Sequence, residues 1–250
     1  MSAARVDLRT EDGVSDVHVC TPEGGAGPWP AVVLYMDAFG IRPELTGMAQ
    51  RLASNGYVVA VPNLYYRTRF APFDPKAVAV DGPERDRFRG MITSIGHAMV
   101  MRDTGTVIDW LDGSAMVRAG GFGALGYCMG GGYALSAAGT FPDKFPVAAS
   151  FHGGSLATDK PDSPHRLAVR MRARVYVGAA EVDASFPRDQ QDRLEQALTE
   201  AGVVHTIETY AHTKHGFAVT GHLAYDREAA ELHWERLLQF LEAGLEPRSR

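Results

Sequence analysis

The chain has 250 residues, of which 45% are hydrophobic and 22% are charged, and its formal net charge is −5. These values are typical of a soluble globular protein, and we expect a single α/β domain over residues 1–250. The weakly acidic balance argues against nucleic acid as a partner, because proteins that bind nucleic acid carry a basic surface. No apolar run in the sequence reaches the roughly 18 residues of a membrane span, and the first residues form no apolar signal core. We therefore expect a cytoplasmic protein without a membrane partner.

Strands and helices alternate along the chain, which predicts a mostly parallel central sheet with helices on both faces. Apolar or alternating runs predict strands at about residues 5–10, 14–20, 31–35, 57–61, 124–127, 147–151 and 203–210, with another just before Asp183. Helical periodicity predicts a helix over 86–112, and another helix is expected after residue 130. Three further helices are predicted from their apolar faces. These faces consist of Leu45, Met48, Ala49 and Leu52 in the first, Leu194, Ala197, Leu198 and Ala201 in the second, and Trp234, Leu237, Leu238 and Leu241 in the third. Residues 23–28 and the polar tail from residue 246 are predicted to be irregular.

Residues 62–83 form the longest irregular stretch, and they contain Tyr65, Arg67 and several further aromatic residues. Long loops in compact domains are commonly functional, and this loop follows a predicted buried strand. We therefore expect Tyr65 and Arg67 to line a substrate pocket. The alternative is a surface loop that is packed by its own aromatic side chains.

The segment Gly126-Tyr127-Cys128-Met129-Gly130 has the pattern of a nucleophile elbow, G-x-S-x-G, with cysteine in the place of serine. In that motif a strained turn between a strand and a helix exposes the nucleophile, and small residues leave room for the turn. The N-terminus of the following helix also favours a thiolate. For the pentapeptide alone, the alternative is a buried structural cysteine in a glycine-rich turn.

An elbow of this kind needs an acid and then a histidine further along the chain. Asp183 follows an apolar strand, and His215 follows the next strand and precedes the last helix. His215 would take the thiol proton, while Asp183 would orient the imidazole and support its charge. Glu181 and His212 are the rival acid and base. A metal site at the two histidines is not expected, because the sequence lacks a zinc-binding motif.

Three further features are interpreted from their positions. Cys20 lies in an alternating run and is expected to pack in an early strand, and two cysteines do not make a disulfide framework. The run from Gly121 to Gly126 matches G-x-G-x-x-G, but it precedes the elbow instead of opening a helix, so nucleotide binding is not expected. His152 follows a predicted strand and is expected to line the site, with a structural role as the alternative.

With these residues considered, the chain resembles the dienelactone hydrolase family of α/β-hydrolases from about Val14 to Leu241. The resemblance implies an α/β-hydrolase fold with the triad Cys128, His215 and Asp183. It also implies that the backbone N–H groups of Met129 and Ala38 bind the oxyanion. The segments that carry the resemblance are Tyr35-Met36-Asp37-Ala38-Phe39-Gly40, Pro62-Asn63-Leu64-Tyr65-Tyr66-Arg67, Gly126-Tyr127-Cys128-Met129-Gly130-Gly131, Asp183-Ala184-Ser185-Phe186-Pro187 and His215-Gly216-Phe217-Ala218.

The chain also departs from the pattern of the best-known family members. They carry a glutamate, which holds the resting cysteine, where this chain has the shorter Asp37 as an auxiliary candidate. They carry a serine and an arginine, which help to bind a substrate carboxylate, where this chain has Gly216 and Val219. An acidic lactone is therefore less favoured as the substrate. Another family arginine would fall near Arg85, Arg87 and Arg89, and none of these three is assigned to its role.

Together these features predict a hydrolase of a carboxylic ester or lactone that forms an acyl-enzyme at Cys128. We expect a small-molecule substrate, no cofactor or metal, and a monomer or small homo-oligomer. A thioesterase or acyl transferase with the same triad is one alternative, and a non-catalytic ligand-binding or thiol-sensing protein is another. The residues expected to contact the substrate are Phe39, Tyr65, Arg67 and His152.

Overall fold

The computed structural model describes residues 2–24, 27–68 and 70–245. Part of the predicted loop at 23–28 and the predicted tail from residue 246 lie outside these ranges. Within them, the strands are β1 (Ser2–Thr10), β2 (Gly13–Thr21), β3 (Trp29–Tyr35), β4 (Val58–Pro62), β5 (Val117–Tyr127), β6 (Val147–Phe151), β7 (Arg174–Val182) and β8 (His205–Lys214). The α-helices are α1 (Pro43–Ser54), α2 (Pro75–Val78), α3 (Pro83–Thr93), α4 (His97–Asp112), α5 (Met129–Thr140), α6 (Arg188–Glu200) and α7 (Arg227–Leu245), and a 3-10 helix spans Pro164–Arg170.

The strands form one sheet in the order β1-β2-β4-β3-β5-β6-β7-β8. β2 pairs with β1 and with β4 in the antiparallel direction, whereas the pairings from β4 to β8 are all parallel. The predicted mostly parallel sheet is therefore confirmed. The G-x-G-x-x-G run lies inside β5, as its position before the elbow predicted.

Helices cover both faces of the sheet. The chain crosses the sheet in one direction from β3 through α1 to β4, and in the other direction from β4 onwards. Because such crossovers are right-handed, α1 lies on the face opposite α4, α5 and α6. α7 lies beside α1, since Arg51 of α1 pairs with Glu231 of α7 at 2.6 Å and lies over the Trp234 ring. Within the described ranges, no helix has the length and apolar content needed to cross a bilayer.

The central strands supply the core. All five residues of β4 and of β6 are buried, as the continuous apolar runs predicted. The apolar face predicted for the first helix is confirmed, because Leu45, Met48, Ala49 and Leu52 of α1 are all buried. This rigid layer fixes the positions of the strand ends from which the candidate site is built.

Two predicted segments differ from the structure. The helix predicted over 86–112 is two helices, α3 and α4, because Gly96 adopts an extended backbone with φ −133° and ψ 166°. The described side chains of α3 are all at least partly exposed, whereas α4 buries an apolar face, so the two helices pack differently. The stretch predicted to be irregular at 62–83 contains the short helix α2.

The carboxyl ends of the parallel strands meet at one edge of the sheet, and the strand order reverses at β3. Ligands of open α/β sheets bind at this edge, near the point of reversal. The residues that directly follow β3, β5, β6, β7 and β8 include Asp37, Cys128, His152, Asp183 and His215. The topology therefore gathers most of the predicted site residues at the place where a ligand site is expected.

Candidate active site

Cys128 sits on a strained turn between β5 and α5. Its backbone has φ 54° and ψ −121°, a conformation that residues other than glycine rarely adopt. The turn is also closely packed: a Cβ on Gly126 would lie 1.9 Å from the carbonyl oxygen of Gly130, and a Cβ on Gly130 would lie 2.3 Å from that of Tyr35. Both positions therefore require glycine, which is the steric demand that the elbow pattern predicted.

The backbone of Cys128 is held on both sides. Its N–H donates to the Phe151 carbonyl at 3.2 Å, and its carbonyl accepts from the N–H groups of Gly131 at 3.1 Å and Gly154 at 3.4 Å. The side chain is half-buried and lies at the N-terminus of α5. That helix end presents backbone N–H groups that have no acceptor within the helix.

Asp183 and His215 form a hydrogen-bonded pair. Nδ1 of His215 lies 2.7 Å from Oδ2 of Asp183, and the hydroxyl of Ser185 donates to Oδ1 of the same carboxylate at 2.5 Å. The Ser185 backbone N–H donates to that oxygen as well, at 2.8 Å. Burial acts to raise the pKa of Asp183, but the hydrogen bonds from His215 and Ser185 outweigh it and hold the pKa below the ordinary 3.8. The carboxylate is therefore charged at neutral pH.

His215 is favoured in its protonated form. Burial acts to lower its pKa, but the negative charge of a Cys128 thiolate and the hydrogen bond to Asp183 outweigh burial and raise the pKa to about 10. With Nδ1 bonded to the carboxylate, Nε2 is the ring nitrogen left for the thiol and for a substrate. The structure thus brings Cys128, His215 and Asp183 together at the strand ends.

The rival acid and base lie apart from this group. The side chain of His212 is 95% exposed and that of Glu181 is 48% exposed. Glu181 accepts a hydrogen bond from the backbone N–H of His212 at 2.5 Å, so the two residues pair with each other at the surface end of β7 and β8. Among the described residues, no group of three or more His, Cys, Asp or Glu side chains is arranged to hold a metal ion.

Asp37 is fully buried and is held by Arg42 and His222. Arg42 donates to it with two nitrogens, at 2.6 and 2.8 Å, and Nε2 of His222 lies 3.1 Å from its Oδ2. The backbone N–H of Phe39 donates to Oδ1 at 3.0 Å. Burial acts to raise the pKa of Asp37, but His222 and Arg42 hold it below 3.8. The carboxylate is therefore used to hold the turn that carries Ala38.

Tyr65 holds the same turn from below. Its hydroxyl donates to the carbonyl of Ala38 at 2.9 Å, and its side chain is only 1% exposed. The ring stacks on Phe70 with centroids 5.5 Å apart. Tyr65, predicted to contact substrate, therefore lies behind the cleft wall and fixes the Ala38 peptide.

Arg67 is directed elsewhere. Its guanidinium donates to Asp103 of α4 at 2.7 and 2.8 Å and to Asp12, in the turn between β1 and β2, at 2.7 and 2.8 Å. These bonds tie the 62–83 segment to the β1–β2 turn. The structure does not bring Arg67 to Cys128, which departs from the prediction that it lines the pocket.

His152 is also absent from the cleft wall. It is completely buried, with its ring 5.2 Å from that of His215 and 5.5 Å from that of Phe217. Burial, with the nearby charge of other histidines, lowers its pKa well below 6.5, so the ring is neutral. Neither ring nitrogen has a hydrogen-bond partner among the described residues. His152 is therefore a packing neighbour of His215, and its predicted contact with substrate does not match this position.

Two cavities meet at Cys128 and His215. The large chamber, of about 620 Å³, is lined by residues that include Ala38, Met129, Ser185, His97, Thr158, Lys160 and Asp162. The small chamber, of about 270 Å³, is lined by Phe39, Pro75, Val78, Ala79, Phe88, His222, Leu223 and Ala224. Cys128, His215 and Phe88 line both chambers, so the sulfur lies at their junction. Phe39, which is expected to contact substrate, lines the small chamber.

The site also contains residues that the sequence did not identify. His222 and Arg42 bind Asp37, and a side chain at Gly216 would meet the His222 ring at 2.7 Å, so the glycine and the histidine fit together. Ser185 lies two residues after Asp183, a spacing at which hydrogen bonds to an aspartate are common, and this signal was available. His222 has no such local signal, because its partner is 185 residues away.

The family model and the curated relatives point to one family. A model of the dienelactone hydrolase family matches residues 16–245. A carboxymethylenebutenolidase from Rhodococcus opacus is 25% identical over 242 residues, which cover 93% of this chain and 88% of the relative. A Synechocystis protein, provisionally named a carboxymethylenebutenolidase, is 27% identical over 222 residues, which cover 88% of each chain.

Solved structures share the fold. A crystal structure from Klebsiella pneumoniae, provisionally named a dienelactone hydrolase, has a TM-score of 0.83 at 24% identity and covers 96% of this chain and 97% of that one. A dienelactone hydrolase-like promiscuous phosphotriesterase from metagenomic libraries has a TM-score of 0.77 at 22% identity and covers 98% and 99%. The predicted α/β-hydrolase fold is confirmed by these likenesses.

Proposed function

The chain belongs to the dienelactone hydrolase family, and we propose that it hydrolyses a carboxylic ester or lactone with Cys128 as the nucleophile. The observation that carries this proposal is the 2.7 Å hydrogen bond between His215 and Asp183, made by a histidine that lines the same cleft as Cys128. This arrangement supplies a base of fixed tautomer next to the half-buried thiol, which is the requirement for nucleophilic catalysis.

In the resting site Nε2 of His215 holds the proton taken from the Cys128 thiol, so the two residues form an ion pair. In the first step, the Cys128 thiolate attacks the carbonyl carbon. As the carbon–sulfur bond forms, the carbonyl electrons move onto oxygen and give an oxyanion. The proposed donors to this oxyanion are the backbone N–H groups of Met129 and Ala38, each worth about 3–4 kcal/mol by analogy with other hydrolases. Met129 begins α5, where N–H groups have no acceptor within the helix.

In the second step, the oxyanion collapses and the bond to the alcohol oxygen breaks. The His215 imidazolium donates its proton to that oxygen, so that the alcohol leaves as a neutral molecule. The acyl group stays on Cys128 as a thioester. In a lactone, this step opens the ring, and the alcohol stays in the site because it remains part of the acyl group.

In the third step, His215 removes a proton from water, and the resulting hydroxide attacks the thioester carbonyl carbon. The carbon–sulfur bond then breaks, which releases the acid and restores the Cys128 thiolate beside the His215 imidazolium. The raised pKa of His215 depends on the negative charge of the Cys128 thiolate. Acylation removes that charge, so the pKa of His215 falls in the acyl-enzyme and the ring becomes available as a base. A thiolate is also a good leaving group, so activated or cyclic esters and thioesters are expected to turn over faster than simple alkyl esters.

The experiment that tests this proposal is a stopped-flow assay of the wild type and Cys128→Ala on an activated aryl ester and on a dienelactone. Intact mass spectrometry of quenched samples reports the acyl-enzyme. A burst of product with one acyl group on the Cys128 peptide, absent from the variant, supports the proposal. Turnover of the lactone shows that the site accepts a cyclic ester. An acyl thioester is assayed beside the two esters, and turnover of the thioester alone identifies a thioesterase.

Loss of signal has a distinct meaning. If Cys128→Ala keeps full turnover on each ester, Cys128 is not the nucleophile and the proposal fails. If the wild type shows no acylation but Cys128 oxidises readily, the protein is a thiol sensor, which would not need the Asp183–His215 pair. Circular dichroism of both proteins shows whether the fold is retained.

A further inference from the structure

The two chambers that meet at Cys128 differ in their charge. The small chamber is walled by apolar side chains, among them Phe39, Val78, Phe88 and Leu223. None of the described residues that line it is a lysine, arginine, aspartate or glutamate. Its polar members are the Cys128 sulfur and the rings of His215 and His222. This chamber therefore offers an apolar surface next to the nucleophile.

Three arginines near the small chamber are already paired. Both terminal nitrogens of Arg42 are bonded to Asp37. Arg85 donates to the carbonyls of Val78 and Ala79 and pairs with Asp81. Arg87 pairs with Glu84 at 2.7 Å and lies over the Phe73 ring. Among the described residues, no lysine or arginine side chain lines the wall, so a substrate carboxylate in the small chamber would lose water without gaining such a partner there, which is costly.

The large chamber has a different character. Its wall carries the exposed side chains of Lys160 and Asp162, so it opens to solvent with charges of opposite sign. Water has to reach the thioester after the alcohol has left, and the larger chamber, which carries the charged side chains, holds water more readily than the small apolar one. The group that remains on Cys128 is then the one in the small, apolar chamber. This assigns the acyl group to the small chamber and the alcohol to the large one.

We propose that the site selects esters whose acyl group is uncharged and apolar, and about the size of a phenyl ring or a short branched chain. An apolar cavity of roughly 150 Å³ is known to hold benzene, and the small chamber has about 270 Å³. The substrate class is thus distinct from lactones that carry a carboxylate on the acyl side. This inference rests on the proposed function and specifies which esters the same site accepts.

The test compares two aryl esters of nearly equal shape, p-nitrophenyl 4-methylpentanoate and the p-nitrophenyl monoester of succinic acid. They differ in having an isopropyl group or a carboxylate at the far end of the acyl chain. We expect kcat/KM for the neutral ester to exceed that for the anionic one by at least about 100-fold in the wild type. Equal values, or a preference for the anionic ester, would overturn the inference.

A charge placed in the small chamber tests whether the acyl group binds there. Val78→Lys adds a cation to the chamber wall, and we expect it to improve the ratio in favour of the succinyl ester by at least about 10-fold. Val80→Lys is the matched control, because Val80 is 61% exposed and lies two residues along, outside the chamber walls. An equal change in both variants would show that the acyl group does not occupy the small chamber.

A variant without added charge covers the case in which Val78→Lys does not fold. Ala224→Leu narrows the small chamber, and we expect it to lower kcat/KM for the phenylacetyl ester at least about 10-fold relative to the acetyl ester. Thr158→Leu narrows the large chamber and should leave this ratio unchanged. In every arm, a Cys128-dependent burst without acyl selectivity rejects only the present inference, whereas the absence of any burst rejects the proposed function.

Discussion

His222 Nε2 lies 3.1 Å from Asp37 Oδ2, although the two residues are 185 positions apart in the chain. The contact joins the turn after β3, which carries Ala38, to the loop after β8, which carries His215. The proposed oxyanion donor and the proposed base are therefore held in one network. Arg42 completes it by occupying both oxygens of the same carboxylate.

Removing His222 should slow acylation because the turn that carries Ala38 would be held less firmly. We expect His222→Ala to lower kcat by roughly 10- to 100-fold with a smaller change in KM, because small misplacements of oriented groups are costly. His222→Gln should restore most of the rate, since its amide N–H can still donate to Asp37. Steady-state kinetics measure this split, with His205→Ala as the control for loss of a histidine outside the network. A stability loss without a kcat change would show that the contact is only structural.

Tyr65 is predicted to act on the same turn through its hydroxyl. Tyr65→Phe removes the hydrogen bond to the Ala38 carbonyl and keeps the ring. We expect a loss of about 1 kcal/mol in the free energy of unfolding and a several-fold fall in kcat with little change in KM. Urea denaturation and steady-state kinetics measure the two effects. A rise in KM alone would instead return Tyr65 to the role of a substrate contact.

Much of the fold was predictable because it depends on local patterns. Continuous apolar runs predicted β4 and β6, and the elbow pattern predicted the strained Cys128 turn because Gly126 and Gly130 are required by sterics within five residues. The positions of Tyr65 and Arg67 were not predictable in this way. Both lie in one aromatic loop, yet one turns beneath Ala38 and the other reaches Asp103, and only tertiary packing separates them.

The same limit applies to the site. Asp183 and His215 follow from chain order, since their strands end at one edge of the sheet. Arg42 and His222 do not, because what gives them a role is the buried charge of Asp37, and its burial is a property of the folded chain. A sequence shows which residues can be acids or bases, whereas the partner of each depends on which loops meet.

The protonation of His215 provides a prediction with a defined sign. Its pKa is raised from 6.5 to about 10, so the folded protein binds this proton more tightly than the unfolded chain. The resulting stabilisation is complete below about pH 6.5 and is lost as the pH rises through about 10. NMR of labelled histidine should show the imidazolium of His215 persisting well above neutral pH. In Cys128→Ala, which lacks the thiolate, the midpoint should be lower, and an unchanged midpoint would contradict the proposed ion pair.

The elbow glycines should tolerate no side chain. In Gly126→Ala, the new Cβ would lie 1.9 Å from a backbone oxygen that cannot move without displacing α5. We expect a loss of at least about 3 kcal/mol in the free energy of unfolding. Gly90→Ala is the control, since this glycine lies in α3 with open space around it and alanine there should add about 0.5–1 kcal/mol. Denaturant unfolding measures the free energy of unfolding of both variants. Equal values for the two would contradict the prediction.

The choice between the two acids can be made with a matched pair of amide variants. Asp183→Asn keeps the shape of the side chain but removes the charge that supports the His215 imidazolium and fixes its tautomer. We expect kcat to fall by about 10³- to 10⁴-fold, as in other triads that lose this carboxylate. Glu181→Gln removes a charge at an exposed position that contacts the His212 backbone, so its kcat should stay within about 2-fold of the wild type. Single-turnover acylation with an activated aryl ester measures both. A large effect of Glu181→Gln on kcat together with a small effect of Asp183→Asn would show that Glu181, and not Asp183, is the acid.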